Sequence, residues 1–323
     1  MSKAKRSASA PSRKSSASSE LRWRIALHAM IFIIFASAVV CLFRISEIYV
    51  DRRLTFPTRP PKVVLADRPQ WMSDFLAEQI VKSIQPIGLH SAFDRQLLVN
   101  TEKSLVVSPW VRHVDEVRRV YDQKPGDTVE IVCDYRAPAA LVQWGQYYWL
   151  VDDHGVKLPE QYTADLLPKI VLGADGKVNI RIIDGVSHAP CESGRTWQGD
   201  DLAGGLEMAR LIAGQDWANQ IRAIDVSNFA GRHDPRNAQI VLITQFGTQL
   251  RWGRVPSATD AFVEVSAAQK LAAIENIYRK NNRVDADQPW IDVRFDQVTC
   301  PGPAQGGPAQ DATAQIDNRI AAQ

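Results

Sequence analysis

The chain has 323 residues, of which 45% are hydrophobic and 23% charged, with a formal net charge of +2 and four cysteines. These proportions are typical of globular proteins and exclude wholesale disorder, collagen and long coiled coils. The small net charge argues against a protein that binds nucleic acid through bulk charge. Four cysteines are too few for a disulfide-rich scaffold.

Both ends of the chain have compositions that do not support a folded core. Residues 1–24 are rich in Ser, Ala and basic side chains, and residues 299–323 are rich in Pro, Gly, Ala and Gln. Neither segment can bury enough apolar surface to offset the entropy of ordering it. We therefore predict a disordered basic tail at the N-terminus and a disordered tail at the C-terminus.

An apolar stretch, IALHAMIFIIFASAVVCLF, occupies residues 25–43. As a helix it spans about 29 Å, close to the hydrocarbon thickness of a bilayer. Three interpretations compete: a buried soluble helix, a cleaved signal sequence and a retained anchor. The stretch lacks a polar face, and more apolar residues follow the small residues Ala36 and Ala38, which favours the anchor. We place the transmembrane helix at residues 25–44.

Basic residues flank this helix unequally. Seven Lys and Arg residues precede it, and five follow it by residue 62. Because cytoplasmic flanks carry the excess of basic residues, the bias predicts a cytoplasmic N-terminus with the rest of the chain outside the cytoplasm.

The segment after the helix begins with a linker, residues 45–61, which contains Pro57, Pro60 and Pro61. Residues 62–138 then predict a small domain. A short strand at residues 62–66 is followed by an amphipathic helix over 70–84 and a second helix capped by Asp94. Two strands follow, from residue 111 and over 128–135, so two helices would cover one face of a short sheet.

Residues 139–298 predict a β-rich second domain with helices, so the fold class is α+β. Apolar and β-branched runs predict strands over 140–151, 178–186, 221–227, 239–244, 248–253 and 290–295. Helices are predicted over 200–213 and 266–281, and residues 155–172 are predicted to be loop.

One acidic cluster, Asp152-Asp153-His154, has two interpretations. It has the residue types of a metal or acid–base site, but Gly155 follows it directly after a strand. Asp and Gly are expected at such a turn for backbone reasons, which favours the turn.

The cysteines outside the membrane helix are an odd number, so at most one bridge can form among them. Cys191 and Cys300 lie in or near loops and are the favoured pair, while Cys133 lies in a strand and is predicted to be buried. His188, Cys191 and Ser193 are close in sequence, but no third group accompanies them, so a thiol active site is not favoured. Without a recognisable catalytic motif, we predict a protein that is not an enzyme and uses no cofactor.

Tyr147, Tyr148 and Trp149 form an aromatic run that belongs either to a binding platform or to the core. Strand alternation places Tyr148 on the opposite face from its two neighbours.

The last predicted strand, residues 290–295, is followed by the Pro- and Gly-rich tail. It either leaves an open sheet edge, which could accept a strand from a partner, or is paired on both sides by strands of its own chain.

Taken together, these features resemble the FtsQ/DivIB family of bacterial cell-division proteins. The resemblance covers nearly all of residues 21–295 and depends on the order of four short motifs. They are SPWV at 108–111, YYWLVDDHGVKLP at 147–159, LPKIVLG at 167–173 and WIDVRF at 290–295.

The resemblance implies a polypeptide-transport-associated (POTRA) fold for the first domain and a scaffold of the division machinery. It implies a single-pass protein of the inner membrane at the septum, with periplasmic domains and neither nucleic acid nor a small molecule as ligand. The partners would be small bitopic proteins of the FtsB/FtsL type, captured by Trp290, Ile291, Asp292, Val293, Arg294 and Phe295. Asp292 and Arg294 would share one face and set the register by charge. The alternative is a membrane-anchored module of protein transport or outer-membrane secretion.

Overall fold

The computed structural model describes residues 16–54, 60–91, 94–120, 128–173, 176–258 and 264–301. Most of both predicted tails, and residues 55–59 of the predicted linker, lie outside these ranges. The described residues form a mixed α+β structure with an N-terminal apolar helix, so the predicted fold class is confirmed.

Helix α1 spans Ser16–Leu54 and extends beyond the predicted transmembrane segment at both ends. Its part Arg22–Tyr49, of 28 residues, contains an 18-residue stretch with a mean hydropathy of 2.6 and is long and apolar enough to cross a membrane. No Gly or Pro occurs within α1, so nothing in the sequence ends the helix at residue 44. The helix thus continues through residues 45–54, which were predicted to belong to the linker.

The chain divides into two compact units. The first contains residues 1–62, 86–98 and 119–129, and the second contains 63–85, 99–118 and 130–323.

A three-stranded sheet has the order β1-β3-β2. Its elements, with two helices between the first and second strands, are β1 (Lys62–Leu65), α2 (Asp74–Ile84), α3 (Arg95–Val107), β2 (Val111–Val120) and β3 (Thr128–Tyr135). Helix α2 begins after Ser73, whose hydroxyl accepts the Leu76 N–H at 3.2 Å. The predicted order of strand, helix, helix, strand, strand is confirmed.

An eight-stranded sheet follows, with the order β11-β10-β9-β8-β7-β4-β5-β6. Its strands are β4 (Pro138–Trp144), β5 (Tyr147–Asp152), β6 (Lys157–Thr163), β7 (Arg181–Asp184), β8 (Ile221–Asp225), β9 (Ile240–Thr244), β10 (Gln249–Gly253) and β11 (Trp290–Asp292). The helices are α4 (Leu167–Val171), α5 (Asp200–Ala213) and α6 (Ala267–Asn281), with short 3₁₀ turns at Ala218–Gln220 and Phe229–Gly231. Pairs β4/β7, β7/β8 and β10/β11 are parallel, and the other neighbours are antiparallel.

Three elements of this sheet differ from prediction. The predicted strand over 140–151 is a hairpin of β4 and β5, with Gly145 in the turn. Residues 155–172, predicted to be loop, contain β6 and α4, because Gly155 turns the chain into a hairpin with β5. Strand β11 ends at Asp292 and is half as long as the predicted strand.

One row of buried apolar side chains crosses six strands of the sheet. The strand registers align its members directly: Val142, Ile183, Ile224, Leu242, Leu250 and Ile291. Helix α5 packs on this face through Gly205, where a Cβ would lie 2.9 Å from Cγ2 of Ile183. The row fixes the register of β11, since a slip of one residue would turn Ile291 away from the core.

Candidate protein interface

Strand β11 lies at one border of the eight-stranded sheet, in parallel pairing with β10. The Pro289 carbonyl accepts the Gln249 N–H at 3.1 Å, and the Val293 N–H donates to the Arg251 carbonyl at 3.3 Å. Alternate residues of a strand direct their backbone groups to the same side, so those of Trp290 and Asp292 face away from β10. These two residues form the outer edge of the sheet.

The Asp292 part of this edge is already paired by the same chain. Its N–H donates to the Thr299 carbonyl at 2.8 Å, and its carbonyl accepts the Thr299 N–H at 3.1 Å. Among the residues that the structure describes, no hydrogen bond reaches the outward backbone groups of Trp290. The edge is therefore partly closed, an arrangement between the two alternatives that the sequence left open. Thr299 was assigned to a disordered tail and instead takes part in the sheet.

The six residues expected to contact a partner separate into three groups: two buried apolar residues, two accessible aromatic residues and the charged pair Asp292 and Arg294. Ile291 and Val293 are buried on the core face. Trp290 is half-buried, with the Arg251 guanidinium carbon 4.2 Å from its ring centroid, and Phe295 is 40% exposed. Trp290 and Phe295 are thus the members of the strip with accessible apolar side chains.

Asp292 and Arg294 are on one side, as expected, but they bind each other. Arg294 Nη2 donates to Asp292 Oδ2 at 2.7 Å, and Nε donates to Oδ1 at 3.0 Å. This hydrogen bonding raises the pKa of Arg294 above its ordinary value. A third donor, Nη1, reaches the Arg236 carbonyl at 2.9 Å. Both charges are nearly buried and satisfy each other in this chain. The expected role of the pair in setting a partner's register stays a prediction.

The acidic cluster at the end of β5 functions as a turn. Asp152 Oδ1 accepts the backbone N–H groups of His154 at 2.9 Å and Val156 at 2.8 Å, while Oδ2 accepts from Arg136 at 2.8 Å. Asp153 accepts from Arg112 at 2.7 Å. The guanidinium groups of Arg136 and Arg112 thus balance the negative charges of Asp152 and Asp153.

The Asp153 carboxylate illustrates how this charge acts. Burial raises its pKa, but the hydrogen bond with His154 and the charge of Arg112 together lower it more, so the net shift is downward. The carboxylate therefore stays ionised as a partner for arginine, which agrees with a structural turn.

The loop that carries Cys191 lies against β6. Gly194 N–H donates to the Lys157 carbonyl at 2.7 Å, and the Cys191 thiol donates to the Arg195 carbonyl at 3.3 Å. His188 engages Ser187 at 2.9 Å instead of the thiol. Burial raises the pKa of Cys191, so the neutral thiol is favoured.

The structure does not join Cys191 to Cys300, and both are free cysteines. The reason is their place in the sheet: Cys191 lies beside β6, whereas Cys300 follows Thr299 at β11 on the opposite border. Seven interstrand steps separate these borders, or about 34 Å, whereas a disulfide needs Cα atoms within about 7 Å.

The aromatic run on β5 alternates as predicted. Tyr148 is buried, while Tyr147 is exposed and its ring centroid lies 6.2 Å from that of Trp149. Lys157 Nζ lies 4.3 Å from the Trp149 ring centroid.

Sequence reasoning did not find Arg251 or Thr299, the two residues that shape the β11 edge. The Arg251 contact follows only from the parallel register of β10 and β11, which no local pattern encodes.

A comparison with protein-family models and a search of curated proteins find no match to this chain.

Proposed function

We propose that this chain is a membrane-anchored, non-enzymatic scaffold of the bacterial division machinery, of the FtsQ/DivIB kind. The observation that carries the proposal is the position of β11, the last strand among the described residues, at the border of a large sheet. A POTRA-like assignment of the three-stranded sheet belongs to the same proposal. The order of its elements supports this assignment.

The edge of β11 supplies the means of recruitment. The outward N–H and C=O of Trp290 offer a partner strand its first pair of hydrogen bonds. A longer strand displaces Thr299 from Asp292, exchanging one pair of backbone hydrogen bonds for another at small net cost. Accessible apolar side chains at Phe295 and Val298, each about 40% exposed, surround this edge.

The partner is a small bitopic protein of the FtsB/FtsL type. In this proposal α1 spans the inner membrane once, with the N-terminus in the cytoplasm and both sheets in the periplasm at the septum. The excess of basic residues before the span supports this orientation.

Photocrosslinking in the organism's own cells tests the proposal. A benzophenone amino acid replaces Phe295, and crosslinked proteins are identified by mass spectrometry. Tyr147 is the matched control position, because its exposed fraction is 43% against 40% for Phe295, and it lies on β5, near the opposite border of the sheet.

We expect crosslinks from position 295 to a small single-pass membrane protein required for division, and a much lower yield from position 147. Depletion of the chain should block septation and produce filamentous cells. Crosslinks to outer-membrane barrel components would instead favour the transport alternative, and normal septation after depletion would exclude a division scaffold.

A further inference from the structure

The turn between α2 and α3 exposes two large apolar side chains. Ile87 is 96% exposed and Leu89 is 61% exposed, and both lie within the short sequence Pro86-Ile87-Gly88-Leu89. Gly88 has φ +92°, a conformation that side-chain-bearing residues rarely adopt, so the glycine permits the tight turn between them. Nearly complete exposure of an isoleucine is costly in water, and the side chain contributes no packing to this fold.

This turn is held in place by His90. Nδ1 of His90 lies 2.9 Å from Asp94 Oδ2, and Nε2 lies 3.1 Å from the Ile87 carbonyl oxygen. Both ring nitrogens of His90 thus lie within hydrogen-bond distance of an oxygen. Asp94 also accepts the N–H groups of Gln96 and Leu97 at the start of α3. The turn is therefore braced to a helix and presents Ile87 in a defined position.

The turn belongs to the same compact unit as the apolar helix. That unit contains α1, the first residue of β1 and residues 86–98. Residues 55–61, seven in number, connect Leu54 to Lys62 and reach at most about 25 Å when extended. Lys62 therefore lies within a short chain length of the end of α1.

We propose that the Pro86–Leu89 turn enters the interfacial layer of the membrane that α1 spans, giving the chain a second contact with the bilayer. The inference rests on α1 as a membrane span and goes beyond recruitment at β11. The exposed cations Lys62 and Arg95 belong to the same unit and suit the anionic headgroups of such a layer. Each inserted side chain strengthens the contact roughly tenfold.

A bilayer fits this surface better than a protein partner does. Two side chains on a convex turn provide far less than the roughly 800 Å² that each partner buries in a stable protein complex. The fluid interface of a bilayer needs no complementary pocket. The turn is also in the same compact unit as α1, which spans that bilayer.

Lipid photolabelling of the full chain tests the inference. The protein is reconstituted in vesicles of phosphatidylethanolamine and phosphatidylglycerol that contain a lipid with a diazirine in its acyl chain. Irradiation is followed by peptide mass spectrometry. We expect adducts on α1 and on the peptide that contains Ile87 and Leu89. Val106 and Val107 on α3, which are 66% and 80% exposed, form the matched control and should stay unlabelled.

Labelling of α1 without labelling of the turn would overturn the inference while leaving the anchor intact. Equal labelling of the turn and of Val106 and Val107 would also overturn it, because exposure alone would then explain the adducts. The double substitution Ile87→Asp, Leu89→Asp should reduce turn labelling at least tenfold. If that variant fails to fold, the labelling pattern of the unmodified chain still decides whether the turn enters the membrane.

Discussion

Arg294 folds back onto Asp292, two residues earlier, and closes a hydrogen-bonded ion pair with side chains that are 12% and 6% exposed. The pair lies where β11, the last of the described strands, leaves the sheet. It therefore stabilises the end of β11.

Replacing Arg294 by Glu should lower the free energy of unfolding by about 3 to 5 kcal/mol, because it leaves the buried Asp292 charge without its counterion. Urea unfolding monitored by circular dichroism measures the change. Arg279→Glu on α6 is the control, since the Arg279 side chain is 74% exposed and its pair with Glu275 contributes at most about 1 kcal/mol. Equal stability of the two variants would show that the Arg294 pair is not structural.

Thr299→Pro should increase partner capture at β11. The substitution removes the N–H that donates to the Asp292 carbonyl, so a competing strand has one hydrogen bond fewer to displace. The loss of about 1 kcal/mol corresponds to roughly fivefold stronger capture. Crosslinking yield from position 295 is the measurement. Gln297→Pro is the control in the same segment, and an equal effect of both prolines would assign the change to loop flexibility.

Asp201 at the start of α5 should contribute stability that is lost in acid. It accepts the N–H groups of Ser187 and Leu202, each at 2.8 Å, and the Arg232 guanidinium at 2.6 Å. Burial raises its pKa, but hydrogen bonds with Ser187 and Arg232 lower it more, so the net pKa lies below the ordinary value.

Because the folded-state pKa is the lower one, this stability is fully present above the unfolded pKa of about 3.9 and disappears as pH falls through the folded value. Urea unfolding from about pH 6 to about pH 3 measures the loss. Asp201→Asn should lower the free energy of unfolding by about 1 to 3 kcal/mol at neutral pH. The variant should also lose less stability than the original chain as the pH falls. If the variant loses as much stability in acid as the original chain, the loss belongs to other carboxylates.

Gly205→Ala should destabilise the second unit by about 1 to 3 kcal/mol, since the new methyl group would press on the fully buried Ile183. Gly214→Ala is the matched control, because nothing lies within 4 Å of its added Cβ and its φ is −86°. Thermal unfolding of both variants decides the point, and an equal melting temperature would contradict close packing of α5 on β7.

Helices with one apolar face were predictable from sequence, and their starts depended on capping. The spacing of Leu76, Ile80 and Ile84 predicted α2, and these three residues are buried. The helix begins at Asp74 instead of residue 70 because Ser73 satisfies its first free N–H groups.

Strand β6 escaped prediction because Pro159 and its polar neighbours are typical of loops, although an edge strand tolerates both. The pairing of Thr299 with Asp292 is a single bridge made by a residue in a segment of low hydrophobicity. No compositional signal distinguishes such a residue from a disordered one. The presence of strand β11 was therefore predictable from sequence, while the pairing of Thr299 with its outer edge required tertiary structure.

Both borders of the eight-stranded sheet are partly covered by other segments of the same chain. At β6 the backbone of Lys157 is held by the Gly194–Arg195 segment, and Pro159 offers no N–H, while at β11 Thr299 covers Asp292. An unblocked sheet would let identical chains stack into a fibre. These contacts shorten the stretch of free backbone on which an identical chain could add a strand.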